Sequence, residues 1–348
     1  MSPMKLTAGE IYFLGERDKK NDKVTNYVKI GIVREGAKGP RTSLERLVEH
    51  QTGNPRELFL HRVITTPAVE EVETRLHKIF AKFGVSGEWF LFDSGQLKEA
   101  IEKALELRDE TKKHLKAFVT SEELKKVPSN GSLKSPGAKA RHWYEIYVGS
   151  NVIIKEAKRL KTIFGPLLLE SVDTDEEVED IVIRQTKEGS TYLDIEKLSL
   201  NDPNIYTKYL VKNSIWQQRF SVKISKSNTP KFSDIDPAAS KFFTRFETFM
   251  GHKPETQKDR EALHDQYLEI LKVESLALWN KQIAEAQLKV LCADSEGIDG
   301  ICTWSRATKE IIDFDSARFE EEEPKLFKKY LAKRQDVKAI AIVPKKGY

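Results

Sequence analysis

Glu10–Gly15 (EIYFLG) and Tyr27–Val33 (YVKIGIV) are two short runs rich in β-branched and aromatic residues, divided by a polar, lysine-rich stretch. They read as antiparallel strands of a hairpin joined by a long charged loop. Working outward, Gly36–Pro40 is a loop by its glycines and proline. Ser43 is then the expected N-cap of a short amphipathic helix carrying Leu44, Leu47 and Val48, which stops at Thr52-Gly53-Asn54-Pro55. Glu57–Thr66 (ELFLHRVITT) is a third strand. Pro67 opens a second helix with Val69, Val72, Leu76, Ile79, Phe80 and Phe83 at helical spacing. Gly84–Gly87 ends it, and the apolar segment Glu88–Phe92 leads into a helix over Gln96–Phe118. The order β-β-α-β-α-β-α predicts an α+β fold: a small antiparallel sheet flanked by helices.

Pro128–Lys139 (PSNGSLKSPGAK) is the clearest linker in the chain. The expected division is therefore a domain over residues 1–120, a linker over 121–140, and a larger mixed α/β domain over 141–348 that ends in long helices. Within the last part Glu145–Ile154 reads as extended, Lys155–Phe164 as helical, and Asp173–Glu179 as an acidic loop. Strands are expected at Glu179–Gln185, Phe220–Ser225 and Ile340–Val343, and Ala238–Leu291 as mainly helical. No internal repeat stands out.

The 348 residues are 39% hydrophobic and 32% charged, which suits a well-charged globular chain and excludes a disordered one. No apolar run approaches the roughly 20 residues that cross a bilayer, so no membrane partner is expected. Met1–Glu10 lacks a signal pattern, from which a cytoplasmic location is expected. Cys292 and Cys302 stand without further Cys or His in ligand spacing, against a disulfide framework or structural zinc. Net charge is +4, and residues 1–140 hold 25 Lys and Arg against 20 Asp and Glu. That mildly basic surface can face phosphates.

Five segments in order carry the chemistry: IYFLG (11–15), VKIGI (28–32), ERLVEHQTGNP (45–55), EVETRLHKIF (71–80) and GEWF (87–90). Together they resemble the phage-T5-type branch of the GIY-YIG nuclease superfamily, over about residues 9–92. The resemblance implies a DNA endonuclease that hydrolyses phosphodiester bonds with Mg²⁺ (or Mn²⁺). It implies Glu73 as the ligand of the divalent ion, Arg46 as the grip on the scissile phosphate, and Tyr12 as the general base or the group that orients the water. Those residue types suit the task. A hard cation prefers oxygen ligands and keeps most of its waters, and a planar guanidinium matches phosphate oxygens. His50 lies four residues after Arg46 and so shares its helix face, where it can shuttle a proton or touch phosphate. Arg41, Lys29, Arg46 and Tyr27 are the expected DNA contacts.

Two positions depart from the family pattern. Lys29 stands where the second tyrosine belongs, and could lower the pKa of Tyr12 or bind phosphate; Tyr27 shares its strand parity and is the only local substitute. The asparagine near the end of the domain is missing, and Glu88 occupies that general place. Each residue alone has a plainer reading: Tyr12 as a core aromatic, Arg46, His50, Glu73 and His77 as solvated helix faces. Their joint order carries the functional one.

Residues of about 236–334 resemble, more weakly, the C-terminal tail of YqaJ-type phage recombination exonucleases, which implies a long helical pair and then a strand bearing Trp304. The stretch LDIEK (Asp194, Glu196, Lys197) has the residue types of a second nuclease centre without its spacing. The sequence thus points to an endonuclease that restricts phage or modified DNA, its C-terminal region selecting the target. The alternatives are a non-catalytic DNA-binding protein and a recombination or repair accessory protein partnering an exonuclease. A homodimer is compatible with either.

Overall fold

The computed structural model describes residues 5–36, 39–170, 182–225, 229–235, 237, 240–241, 244 and 256–342. Its N-terminal part is an antiparallel sheet with helices, followed by a larger mixed α/β region, as expected from the sequence. The sheet runs β4 (Glu57–Thr66), β1 (Gly9–Arg17), β2 (Val24–Gly36), β6 (Trp89–Leu91) and β5 (Gly84–Ser86), and β3 (Gly39–Pro40) pairs with the end of β2. Tyr12 is opposite Gly31 on β2 and Val63 on β4, while Lys29 is opposite Leu14 on β1 and Trp89 on β6.

Strand alternation divides this sheet into two faces. Ile11, Phe13, Val28, Ile30, Ile64 and Phe90 point to one side. There they are covered by α2 (Val69–Ile79) and α3 (Ser94–Leu124) through Val72, Leu76, Ala100 and Leu107. Tyr12, Leu14, Val33 and Trp89 point to the other side, under α1 (Ser43–Gln51). Thr42, not Ser43, caps α1, in a capping box with Glu45. Ser43 instead turns inward, its amide and hydroxyl both donating to the Glu10 carboxylate at 2.8 and 2.7 Å. At the other end the Gln51 amide donates to the Asn54 and Arg56 carbonyls and accepts from the Leu58 N–H. Of the three apolar residues of α1 only Leu47 packs on the sheet; Leu44 and Val48 face solvent.

A helix from the far end of the chain completes the N-terminal core. In α8 (Gln257–Cys292), which follows the one-turn α7 (Phe232–Ile235), Trp279, Ile283 and Ala286 join the cluster under the sheet. Arg75 of α2 lies over the Trp279 ring at 4.3 Å, pairs with Glu71 at 2.5 Å and donates to Gln282. The Trp279 indole donates to Glu110 of α3 at 2.7 Å. The segment read as a linker is held at several points: β7 (Leu133–Lys134) pairs with β11 (Gly297–Ile298), and the Ser129 and Asn130 amides donate to the Arg306 and Asp294 carbonyls.

The stretch Glu145–Ile154, expected to be extended, lies inside one 33-residue helix, α4 (Ala138–Glu170). Its buried residues Ile154, Ala157, Leu160, Phe164 and Leu168 form a stripe at helical spacing, and burial against α8 decides over the β-propensity of its isoleucines and aromatics. The two helices run antiparallel, tied by Lys161–Glu274 at 2.6 Å and by Lys281 donating to Asn151 at 2.9 Å. The helical pair expected within the tail is therefore made by one tail helix and an earlier one. Trp143, Tyr144 and Tyr147 pack into the core around Trp304, which lies on β12 (Cys302–Phe314). Residues 171–181, which include the expected acidic loop and the start of the Glu179–Gln185 strand, lie outside the described residues, as does Val343. Strands over Val182–Lys187 (β8) and Val337–Ile342 (β14) pair with each other. In place of a strand at Phe220–Ser225 there is a longer one, β10 (Leu210–Val222).

The C-terminal region contains an internal repeat that sequence inspection did not reveal. LDIEKLSLNDPNIYTKYL (193–210) and FDSARFEEEEPKLFKKYL (314–331) align without a gap. Each makes a helix capped by an aspartate (α5, Ile195–Asn201, capped by Asp194; α9, Ser316–Glu322, capped by Asp315), then a second helix opened by proline (α6, Pro203–Lys208; α10, Pro324–Lys329). Leu198 and Phe319, and Tyr209 and Tyr330, are buried at matching places. The halves bond reciprocally: the Asp194 amide donates to the Tyr330 carbonyl and the Asp315 amide to the Tyr209 carbonyl, both at 2.9 Å, while the Tyr209 hydroxyl donates to Glu322 and that of Tyr330 to Asp202. Each half also lends one strand to each of two ribbons, β10 with β12, and β9 (Thr191–Leu193) with β13 (Leu331–Lys333). The matching residues are caps and core, so Asp194 of LDIEK is accounted for by capping.

Candidate active site

The solvent side of the N-terminal sheet gathers Tyr12, Arg46 and His50. Tyr12 is buried, and its ring lies across Gly31, the glycine of KIG; a side chain at Gly31 would overlap the Tyr12 ring and hydroxyl. The absence of a Cβ there is what lets the ring lie flat on the neighbouring strand. Because α1 is pinned at both ends, Arg46 and His50, one turn apart, both point down at that ring. The Tyr12 hydroxyl stands 3.3 Å from His50 Nε2, and the Arg46 guanidinium faces the same oxygen.

Burial raises the pKa of Tyr12 above its ordinary 10, with Arg46 opposing the rise and the charges of Glu88 and Glu73 adding to it. Burial also lowers His50 below its ordinary 6.5, helped by the positive charges of Lys29 and Arg46. The resting pair is thus a protonated phenol and a neutral imidazole. With the imidazole proton on Nδ1, the hydroxyl donates to the Nε2 lone pair.

Glu73 is half-buried on α2, and its charge adds to the rise at Tyr12. His77, one turn later, bonds the Ile30 carbonyl at 3.0 Å and packs on Phe90, a supporting place. Lys29 lies on β2, on the same face of the sheet as Tyr12. Its ammonium pairs with Glu88 at 3.0 Å, and it acts electrostatically on His50. The charge that opposes the rise at Tyr12 is that of Arg46, whose guanidinium faces the phenol oxygen. The two departures from the family pattern, Lys29 and Glu88, are thus partners of each other.

Arg41 and Arg46 share one carboxylate, Glu49, with Arg46 at 2.8 Å. The two cations lower the pKa of Glu49. Nothing in the sequence marked Glu49 out, although its spacing from Arg46 is that of a helical neighbour. Tyr27 sits two residues along β2 from Lys29 and lines a neighbouring cleft of about 410 Å³ with Glu16, Asn54, Arg56 and Trp89.

Residues 9–105 match the T5orf172 domain family. The matched span holds the whole sheet and all the residues above, and is consistent with a GIY-YIG-like, nuclease-like superfamily. Comparison with curated proteins and with solved structures gives no match. Among the described residues no helix is long and apolar enough to cross a membrane.

Proposed function

We propose that the N-terminal sheet is a divalent-cation-dependent DNA endonuclease, and that the C-terminal region selects the DNA it cuts, in restriction of phage or modified DNA. The observation that carries this reading is the convergence of Tyr12, Arg46 and His50 on one hydroxyl, with the charge of Glu73 beside it.

The donor set suits a hydrated ion. Among the described residues no three His, Cys, Asp or Glu side chains form a cage. A single carboxylate such as Glu73 is the usual protein share for Mg²⁺, which keeps several waters and takes further oxygens from phosphate. When bound, such an ion (Mg²⁺ or Mn²⁺) supplies positive charge against the charge that builds on the phosphate oxygens.

The chain's own residues then divide the remaining work. Arg46 exchanges Glu49 for the scissile phosphate and holds it by its fork. Tyr12, buried and donating to His50, fixes the position of the attacking water. The water oxygen bonds to phosphorus as the P–O bond to the leaving sugar oxygen breaks, and the leaving oxygen takes a proton from solvent. As the water gives its proton toward the phenol oxygen, the phenol proton passes to His50, whose lowered pKa keeps it neutral and ready at pH 7. A cationic His50 beside Arg46 and Lys29 is unfavourable, so it releases the proton to solvent.

The second reading, DNA binding without cutting, draws on the upward shift of Tyr12 and on the Lys29–Glu88 pair where the family carries a tyrosine and an asparagine. Incubating duplex DNA of differing cytosine modification with the protein and Mg²⁺ separates the two. Cutting of at least one substrate is expected. Binding of all of them with no cutting favours the second.

A further inference from the structure

β10 and β12 pair over thirteen residues each, from Leu210 opposite Phe314 to Val222 opposite Cys302, without a break in register. One end of this ribbon is anchored in the core around Trp304 and Phe220, the other in the repeat core around Tyr209 and Phe314. Between them one face touches the body at two residues, while Lys212, Ser214, Gln218, Glu310 and Ile312 of that face stay exposed. There the Trp216 indole donates to the Lys125 carbonyl at 2.9 Å, and the Arg306 guanidinium donates to the Leu124 and Ser295 carbonyls at 3.0 and 2.9 Å. The opposite face presents Asn213, Gln217 and Arg219 from β10 and Lys309 from β12, all exposed, set among the half-buried Val211, Ile215, Ala307 and Ile311, with Ser305 directly across from Arg219. Its one acidic residue, Asp313, is at the repeat end. A two-stranded ribbon is marginal in water by itself, and here the anchors at its ends and at Trp216 and Arg306 hold it so that Asn213, Gln217, Arg219 and Lys309 stand out from one face.

We propose that this face enters the major groove of duplex DNA and reads its sequence, an inference that rests on the nuclease reading of residues 9–105. The major groove, about 12 Å wide, admits a two-stranded ribbon. The side chains are those that distinguish bases there: an arginine fits the two acceptors of guanine, asparagine and glutamine fit the donor and acceptor of adenine, and serine serves either. Arg219 and Lys309 give the face the positive sign that phosphates select.

The fold also sets a distance. α3 starts beside the sheet at Ser94, and the carbonyl of its last residue, Leu124, is held by Arg306 under the ribbon. Its 31 residues span roughly 45 Å at about 1.5 Å per residue. Cutting then falls on the order of a dozen base pairs from the sequence that is read, at about 3.4 Å per base pair.

The test uses the full chain and a random duplex pool without divalent cation. Duplexes retained by the wild type are expected to share a sequence, and Asn213→Ala with Gln217→Ala removes that preference. Arg219→Ala with Lys309→Ala lowers affinity about tenfold or more and reduces the salt slope by about two. Both variants are expected to keep the wild-type melting temperature, since the side chains are exposed. Unchanged affinity and preference in both variants overturn the proposal. So does duplex RNA competing as well as DNA, because the A-form major groove is too narrow for side chains to read. Binding does not depend on cutting. A wild type that never cuts but loses binding through these variants removes the nuclease reading alone, and one that cuts while both variants bind normally removes the ribbon alone.

Discussion

The Tyr12 hydroxyl lies 3.3 Å from Nε2 of His50, a buried phenol facing an imidazole that burial and two neighbouring cations hold neutral. The pKa directions fix the sign of a pH profile. His50 accepts a proton only when neutral, so the cutting rate is expected to fall as pH drops through its lowered pKa, below 6.5, and to be level above it. A resting phenolate would instead make the rate climb past pH 10, since Tyr12 is shifted upward. Single-turnover rates across pH decide between the two. His50→Gln is expected to lose the acid limb and about a hundredfold in rate.

Gly31 is the contact on which the placement of Tyr12 depends. Gly31→Ala pushes a methyl into the phenol ring and is expected to cost about 1–3 kcal/mol of stability. Cutting should fall by more than that loss of folded protein explains. Denaturant unfolding and cleavage rate, measured on one preparation, separate the two effects.

Glu49 occupies both arginines in the absence of DNA. Glu49→Gln keeps the size of the side chain and removes its charge, and is expected to tighten DNA binding several-fold at low salt, with the gain shrinking as salt rises. Binding titrations at two ionic strengths check this. An unchanged affinity would place the scissile phosphate away from Arg41 and Arg46.

Trp279 ties α8 to the nuclease-like sheet through Arg75 and Glu110. Trp279→Ala is expected to destabilise the protein by about 3–5 kcal/mol, as a large buried aromatic does. Arg75→Lys keeps the charge but loses the fork that spans Glu71 and Gln282, and should cost less. Residues 1–126 prepared alone lack Trp279, Ile283 and Ala286, and should unfold at lower denaturant than the whole chain.

The N-terminal sheet and its helices were legible because their signals are local. EIYFLG and YVKIGIV alternate with the sheet, and Val69, Val72 and Leu76 mark the inner face of α2. The candidate site was proposed from an order of residue types, which says nothing of the partner of Lys29. Strand parity says which face a lysine takes, and nothing in sequence says that Glu88 will meet it there. α4 was misread because its isoleucines and aromatics favour strands in isolation, and only the long groove against α8 makes them helical. The repeat escaped because its shared positions are caps, a proline and a few apolar residues more than a hundred positions apart. Its meaning lies in the crossed bonds of Tyr209 and Tyr330, which folding alone creates.

The most direct test compares wild type and Glu73→Gln on covalently closed duplex DNA with Mg²⁺, together with binding measured without the ion. The wild type is expected to nick or linearise the DNA, and Glu73→Gln to cut about a thousandfold more slowly while binding as tightly. Equal cutting by the two proteins, or full binding with no cutting by the wild type, would contradict the account.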